Sequence, residues 1–120
     1  MNSRDDVAKF MYASDQNESD FGAQANLYMG LVIEEYKELV LAFGNRDLVE
    51  IADACADLKW VIEGLEHTLK IPQQAVWDEV ARSNIKKIDP ETGKVLKRAD
   101  GKVLKPEGWT PPDIKSILKK

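Results

Sequence analysis

Two short stretches hold acids at helical spacing: Glu34-Glu35-Tyr36-Lys37-Glu38, and Glu50-Ile51-Ala52-Asp53-Ala54-Cys55-Ala56-Asp57. At about 100° per residue, Glu35 and Glu38 lie about 60° apart on one helix face, and Glu50, Asp53 and Asp57 fall within a similar arc. Carboxylates gathered this way repel one another unless a cation sits among them. Oxygen-only ligands suit Mg²⁺ or Mn²⁺, and magnesium usually shares itself with substrate phosphates. Between Glu34 and Asp57 there are seven acids and only two bases, Lys37 and Arg46. The like-charged pairs Glu34/Glu38 and Asp53/Asp57 cost stability on a bare surface. On spacing alone, a cation site and a solvated acidic face both stay open.

Four helices position these residues. The first is expected from about Ser3, capped by Ser3 itself, to Ala13, with Val7, Phe10 and Met11 as its apolar stripe. The second runs from about Phe21 to Phe43 through Leu27, Leu31, Leu39 and Ala42, and Gly44-Asn45 closes it. The third runs from about Asp47 to Leu69, its buried side reading Leu48, Ile51, Cys55, Leu58, Ile62, Leu65 and Leu69. The fourth starts at Pro72 as first helical residue and reaches about Lys87 through Ala75, Val76 and Val80. The short turn at Gly44-Asn45 makes the second and third helices antiparallel neighbours, which can bring the two acidic ridges face to face.

Beyond residue 87 the texture changes. Four of the five prolines lie there, and Lys and Arg outnumber Asp and Glu. Pro90-Glu-Thr-Gly93 and Asp100-Gly101 are turn signals for a small hairpin or an ordered loop. Thr110-Pro-Pro-Asp113 is a cap for a short terminal helix, and Trp109 is positioned to pin the tail. There is no strand–helix alternation, which excludes a parallel-sheet nucleotide fold.

Composition narrows the chemistry further. The chain has 120 residues and a formal charge of −4, which suits one domain and argues against a nucleic-acid polymer as partner. A single Cys55 and a single His67 exclude a disulfide framework and a multi-histidine metal site. Cys55 is expected to be a buried structural thiol. No apolar run reaches the ~20 residues of a membrane span, and the N-terminus lacks the apolar stretch of a secretory signal. A cytoplasmic single domain over 1–120 is expected, helical over 1–87 and basic over 88–120.

With both ridges in view, the chain resembles the MazG-like, all-α nucleoside triphosphate pyrophosphohydrolases, whose pattern is E-E-x-x-E on one helix and E-x-x-D on the next. Its nearest likeness is a short subgroup labelled phosphoribosyl-ATP pyrophosphohydrolase-like. The likeness runs from Phe10 into the tail and includes Glu79-Val-Ala-Arg-Ser-Asn-Ile-Lys-Lys87 and the string ADGKVLKPEGWTPP. It implies a four-helix bundle with a partly irregular tail, assembled as a homodimer or homotetramer whose neighbouring subunit completes the core and base pocket. It implies Mg²⁺, with Mn²⁺ as substitute, held by Glu35 and Glu38, with Glu34 orienting the attacking water. Read as a string, Glu50-x-x-Asp53 is the second pair. Read by the surrounding Ala56–Gly64 context, Asp57 takes the Asp position and Ala54 the Glu position, so that Asp53 and Asp57 become the ligands and Glu50 an outer participant. Asn84, Lys87, Lys102 and Lys105 are the implied substrate contacts; Phe10 and Gln16 border an implied base pocket. The implied reaction cleaves a nucleoside triphosphate or deoxynucleoside triphosphate to monophosphate and pyrophosphate in nucleotide house-cleaning. The alternatives are phosphoribosyl-ATP hydrolysis in histidine synthesis and a non-catalytic metal- or nucleotide-binding module.

Overall fold

Asn2 starts the first helix in the computed structural model, which describes residues 2–119. Its side chain accepts from the Asp5 amide at 2.9 Å, so the cap lies one residue ahead of the expected Ser3. Ser3 is instead the first residue of α1 (Ser3–Ala13), and its hydroxyl donates to Glu63 Oε1 at 2.7 Å. The remaining elements are α2 (Ala23–Gly44), α3 (Leu48–Thr68), α4 (Gln73–Ile85), β1 (Ile88–Asp89), β2 (Lys94–Val95) and α5 (Ile114–Leu118). The protein is thus all-α, with a short fifth helix and a minimal hairpin added to the four expected helices. Contacts divide the chain between Ile71 and Pro72 into two compact units.

In the first unit, Val7 and Met11, one turn apart on α1, are buried against Tyr28 of α2 and Val61 of α3, with Leu31, Val32, Leu58 and Leu65 around them. Phe10, expected in the same stripe, is 51% exposed and packs edge-on against Trp60, ring centroids 5.6 Å apart. The buried side of α3 is Ala54, Val61, Gly64 and Thr68, whereas Leu48 and Ile62 are exposed. Close approach of α2 and α3 explains the shift: small residues occupy the line of contact and the larger ones flank it. Gly64 is the tightest point, since a Cβ there would lie 2.1 Å from the Tyr28 ring. The Tyr28 hydroxyl donates to Gln16 Oε1 at 2.6 Å, which occupies the side-chain oxygen of a residue expected at a base pocket. Buried Gln24 donates from Nε2 to Thr68 Oγ1 at 2.7 Å, the Thr68 hydroxyl donates to the Gly64 carbonyl, and Glu18 accepts from the Gln24 backbone amide, supplying the N-terminal cap that Gly22 cannot.

The turn between α2 and α3 differs from expectation in one detail. Gly44 is the last residue of α2, and Arg46, at φ 54°, takes the left-handed conformation. Asp47 then caps α3 by accepting from the Glu50 amide at 3.2 Å.

In the second unit, Pro72 is the cap of α4 rather than its first helical residue, and Lys86 closes it, so Asn84 lies inside the helix and Lys87 just beyond. Both turn signals form. Ile88 pairs with Val95 and Asp89 with Lys94 in one antiparallel hairpin, and Lys97 bridges Val103 across a second turn in which Gly101 has φ 90°. Asp113 caps α5 through the Ser116 amide, as its sequence predicts. Arg82 binds the carbonyls of Thr110 and Pro111, and Glu79 accepts from the Asp113 amide at 2.7 Å, so the tail is clamped to α4. Among the described residues no helix is long and apolar enough to cross a membrane.

Candidate metal centre

The antiparallel packing of α2 on α3 sets Glu35 and Glu38 opposite Asp57. One carboxylate oxygen from each of the three lies within 4.8 Å of the others. Glu35 and Asp57 are half-buried and Glu38 is exposed, so the cluster has a covered floor and an open mouth. Glu35 Oε2 is buried without a hydrogen-bond partner. An anionic oxygen left in this condition is expensive unless a cation satisfies it.

The electrostatics agree with the geometry. Desolvation, followed by the hydrogen bond and charge of Glu38 and the charges of Asp57 and Glu34, pushes the Glu35 carboxyl up to about 7. Desolvation, with the charges of Asp53 and Glu38, raises Asp57 as well. Three carboxylate oxygens gathered this closely are the hard oxygen donors that a divalent cation takes. The donor set therefore fits magnesium or manganese.

The other predicted residues are placed as follows. Glu34 is exposed beside the cluster and contributes to the raised Glu35 carboxyl. Asp53 lies one turn before Asp57, close enough to act on it through charge, but outside the triple. Glu50 also lies outside; with Glu38, Asp47, Asp53 and Ala54 it lines an open cavity of about 260 Å³ at the α2–α3 turn. Ala54, to which the sequence resemblance gives a Glu position, is buried at 4% exposure. In the second unit, Asn84 accepts from Lys87 Nζ at 3.1 Å. The Lys87 and Lys105 ammonium groups lie 5.2 and 4.9 Å from the centroid of the Trp109 ring. Lys102 stands apart in the Arg98–Lys102 turn, where its amide donates to Asp100.

Sequence reasoning assigned no role to the Glu79–Arg82 clamp and did not place Lys87 and Lys105, the implied substrate contacts, at Trp109. The first had a signal, an i,i+3 acid–base pair; in the second, Lys105 lies four residues before Trp109, whereas Lys87 is separated from it by the whole hairpin. Cys55 is half-buried and His67 exposed, and neither belongs to the cluster.

The fold and the cluster define an all-α protein carrying a carboxylate cluster of the kind that takes a divalent cation. The sequence profile of the phosphoribosyl-ATP pyrophosphohydrolase family matches residues 5–84, two-thirds of the chain and all three carboxylates of the cluster. The chain belongs to this family of pyrophosphohydrolases, hydrolases acting on acid anhydrides. No individual curated protein matches it.

Proposed function

We propose that the chain is a Mg²⁺-dependent nucleoside triphosphate pyrophosphohydrolase, with Mn²⁺ as substitute, that cleaves an NTP or dNTP to monophosphate and pyrophosphate in clearing the cytoplasmic nucleotide pool. The observation that carries the reading is the Glu35–Glu38–Asp57 triple with its unpartnered buried oxygen, in a chain of this family. Glu35, Glu38 and Asp57 hold the cation, with Asp53 and Glu50 as outer acids that tune its field. When bound, the cation activates water and neutralises charge developing on the phosphates. Glu34 orients the water and accepts its proton as a bond forms from the water oxygen to the α-phosphorus. The bond from the α-phosphorus to the bridging oxygen breaks, and pyrophosphate leaves. Asn84, Lys87, Lys102 and Lys105 contact sugar or phosphate oxygens.

The domain, taken as 1–120, works as a homodimer in this reading. Met29, Ile33, Tyr36, Val40 and Phe43 repeat at alternating steps of four and three along α2 and are 46–67% exposed. That spacing is the seam of a helix pair, and a second copy supplies the same seam.

A second reading has its own support, since the matching family is described by phosphoribosyl-ATP. Turnover of phosphoribosyl-ATP against a panel of NTPs and dNTPs, each with metal and with chelator, separates the two. Metal-dependent release of pyrophosphate from NTPs or dNTPs supports the first. Release from phosphoribosyl-ATP alone replaces it with the second, and metal and nucleotide binding without any turnover leaves the non-catalytic module.

A further inference from the structure

Two of the four expected substrate contacts, Lys87 and Lys105, converge within the second unit on a residue to which the proposed function gives no part. The Trp109 indole N–H donates to the Ser83 carbonyl at 2.6 Å, on a serine buried to 2% exposure in the last turn of α4. The flanking turn is held as well: the Trp109 amide donates to Pro106 O at 3.1 Å, and Arg82 holds the Thr110 and Pro111 carbonyls. The ring is therefore fixed to α4 on both sides. On it lie two ammonium groups, Lys87 at 5.2 Å and Lys105 at 4.9 Å from the centroid. Lys87 is further restrained by Asn84 Oδ1 at 3.1 Å.

Each ammonium group is drawn to the π system of the same ring. Long lysines otherwise lose side-chain freedom on binding a ligand. Lysines already gathered on a fixed ring have given up part of that freedom beforehand. A polyphosphate, with negative oxygens spread along one chain, is a ligand that two ammonium groups held at one ring match.

We propose that Trp109 is a positioning residue that holds Lys87 and Lys105 as one polyphosphate-binding pair, acting through the lysines and not on the reacting atoms. This rests on the reading that the substrate is a polyphosphate ester, and it goes beyond that reading by assigning affinity for the phosphate chain to the ring.

The test measures inorganic tripolyphosphate binding by calorimetry in chelator, so that the carboxylate cluster plays no part, together with kcat and KM for the best nucleotide. Trp109→Leu is expected to weaken tripolyphosphate about tenfold, to raise KM by a similar factor with kcat within twofold, and to flatten the salt dependence of binding as fewer charges engage. Trp109→Phe, which keeps a π face, is expected to recover most of the affinity. Where Trp109→Leu does not fold, Trp109 emission in a Trp60→Phe/Trp77→Phe protein serves instead; it must change on tripolyphosphate addition with the calorimetric midpoint. Unchanged affinity and KM in Trp109→Leu, equal losses in the Leu and Phe variants, or unresponsive Trp109 emission each overturn the proposal. A chain that binds tripolyphosphate through Trp109 yet hydrolyses no nucleotide refutes the proposed reaction and leaves this inference standing. A chain that hydrolyses nucleotides with KM indifferent to Trp109→Leu refutes this inference alone.

Discussion

Glu35→Gln should stabilise the metal-free protein at alkaline pH and remove its response to metal. The fold raises the Glu35 carboxyl from 4.5 to about 7, chiefly by desolvation and then through Glu38. Between those two values the folded chain keeps a proton that the unfolded chain has released, so stability falls as pH rises through that window and the full penalty applies above it. At 1.36 kcal/mol per pKa unit the shift corresponds to about 3 kcal/mol, or on the order of 2 kcal/mol after allowing for solvent at the open mouth. Glutamine keeps the shape and cannot ionise. Urea unfolding in chelator should therefore show Glu35→Gln more stable than wild type by on the order of 2 kcal/mol at pH 8, with the difference vanishing near pH 4. Saturating Mg²⁺ should reverse the order, since a ligand at a hundred times its Kd adds about 2.7 kcal/mol to a protein that binds it. A Glu35→Gln protein no more stable than wild type at pH 8 in chelator, or a difference independent of pH, would refute the reasoning.

Other perturbations follow from the same geometry. Gly64→Ala places a methyl in the Tyr28 ring and should cost about 1–3 kcal/mol, or more if the helices cannot part, in chemical denaturation. Ala54→Glu adds a fourth carboxylate beside Glu38 at the 260 Å³ cavity; it should lower the melting temperature in chelator and enlarge the rise on adding Mg²⁺. Glu79 is held down at about 2, first by the Arg82 hydrogen bond and then by the Asp113 amide. Its contribution is present above the ordinary carboxyl range and is lost as pH falls toward 2. Glu79→Gln should accordingly lower the protection factor of the Asp113 amide in hydrogen exchange at neutral pH.

The helices were legible because apolar spacing and caps lie in short stretches of chain: Asp47 and Asp113 cap the helices their sequence predicts. Which residues face inward on α3 was less legible. Period counting favoured large residues such as Leu48 and Ile62, whereas burial follows Ala54 and Gly64, where two backbones approach. Size complementarity between helices is a tertiary property that one strip of sequence does not carry. The same holds for the cluster. Glu35 and Glu38 could be paired from one helix, but choosing among Glu50, Asp53 and Asp57 requires the register of α2 against α3, and the geometry groups Asp57 with them. Helix ends involving an unexpected residue were also hidden, since Arg46 takes the left-handed conformation beside an available Gly44.

Pyrophosphate release from a panel of ribo- and deoxynucleoside triphosphates, with Mg²⁺ or chelator and with Glu38→Gln alongside, tests the central claim most directly. The account predicts metal-dependent formation of monophosphate and pyrophosphate by the wild type, abolished by chelator and reduced at least a hundredfold, about 2.7 kcal/mol in barrier, by Glu38→Gln. Turnover that persists in chelator, or a Glu38→Gln protein as active as wild type, would contradict it.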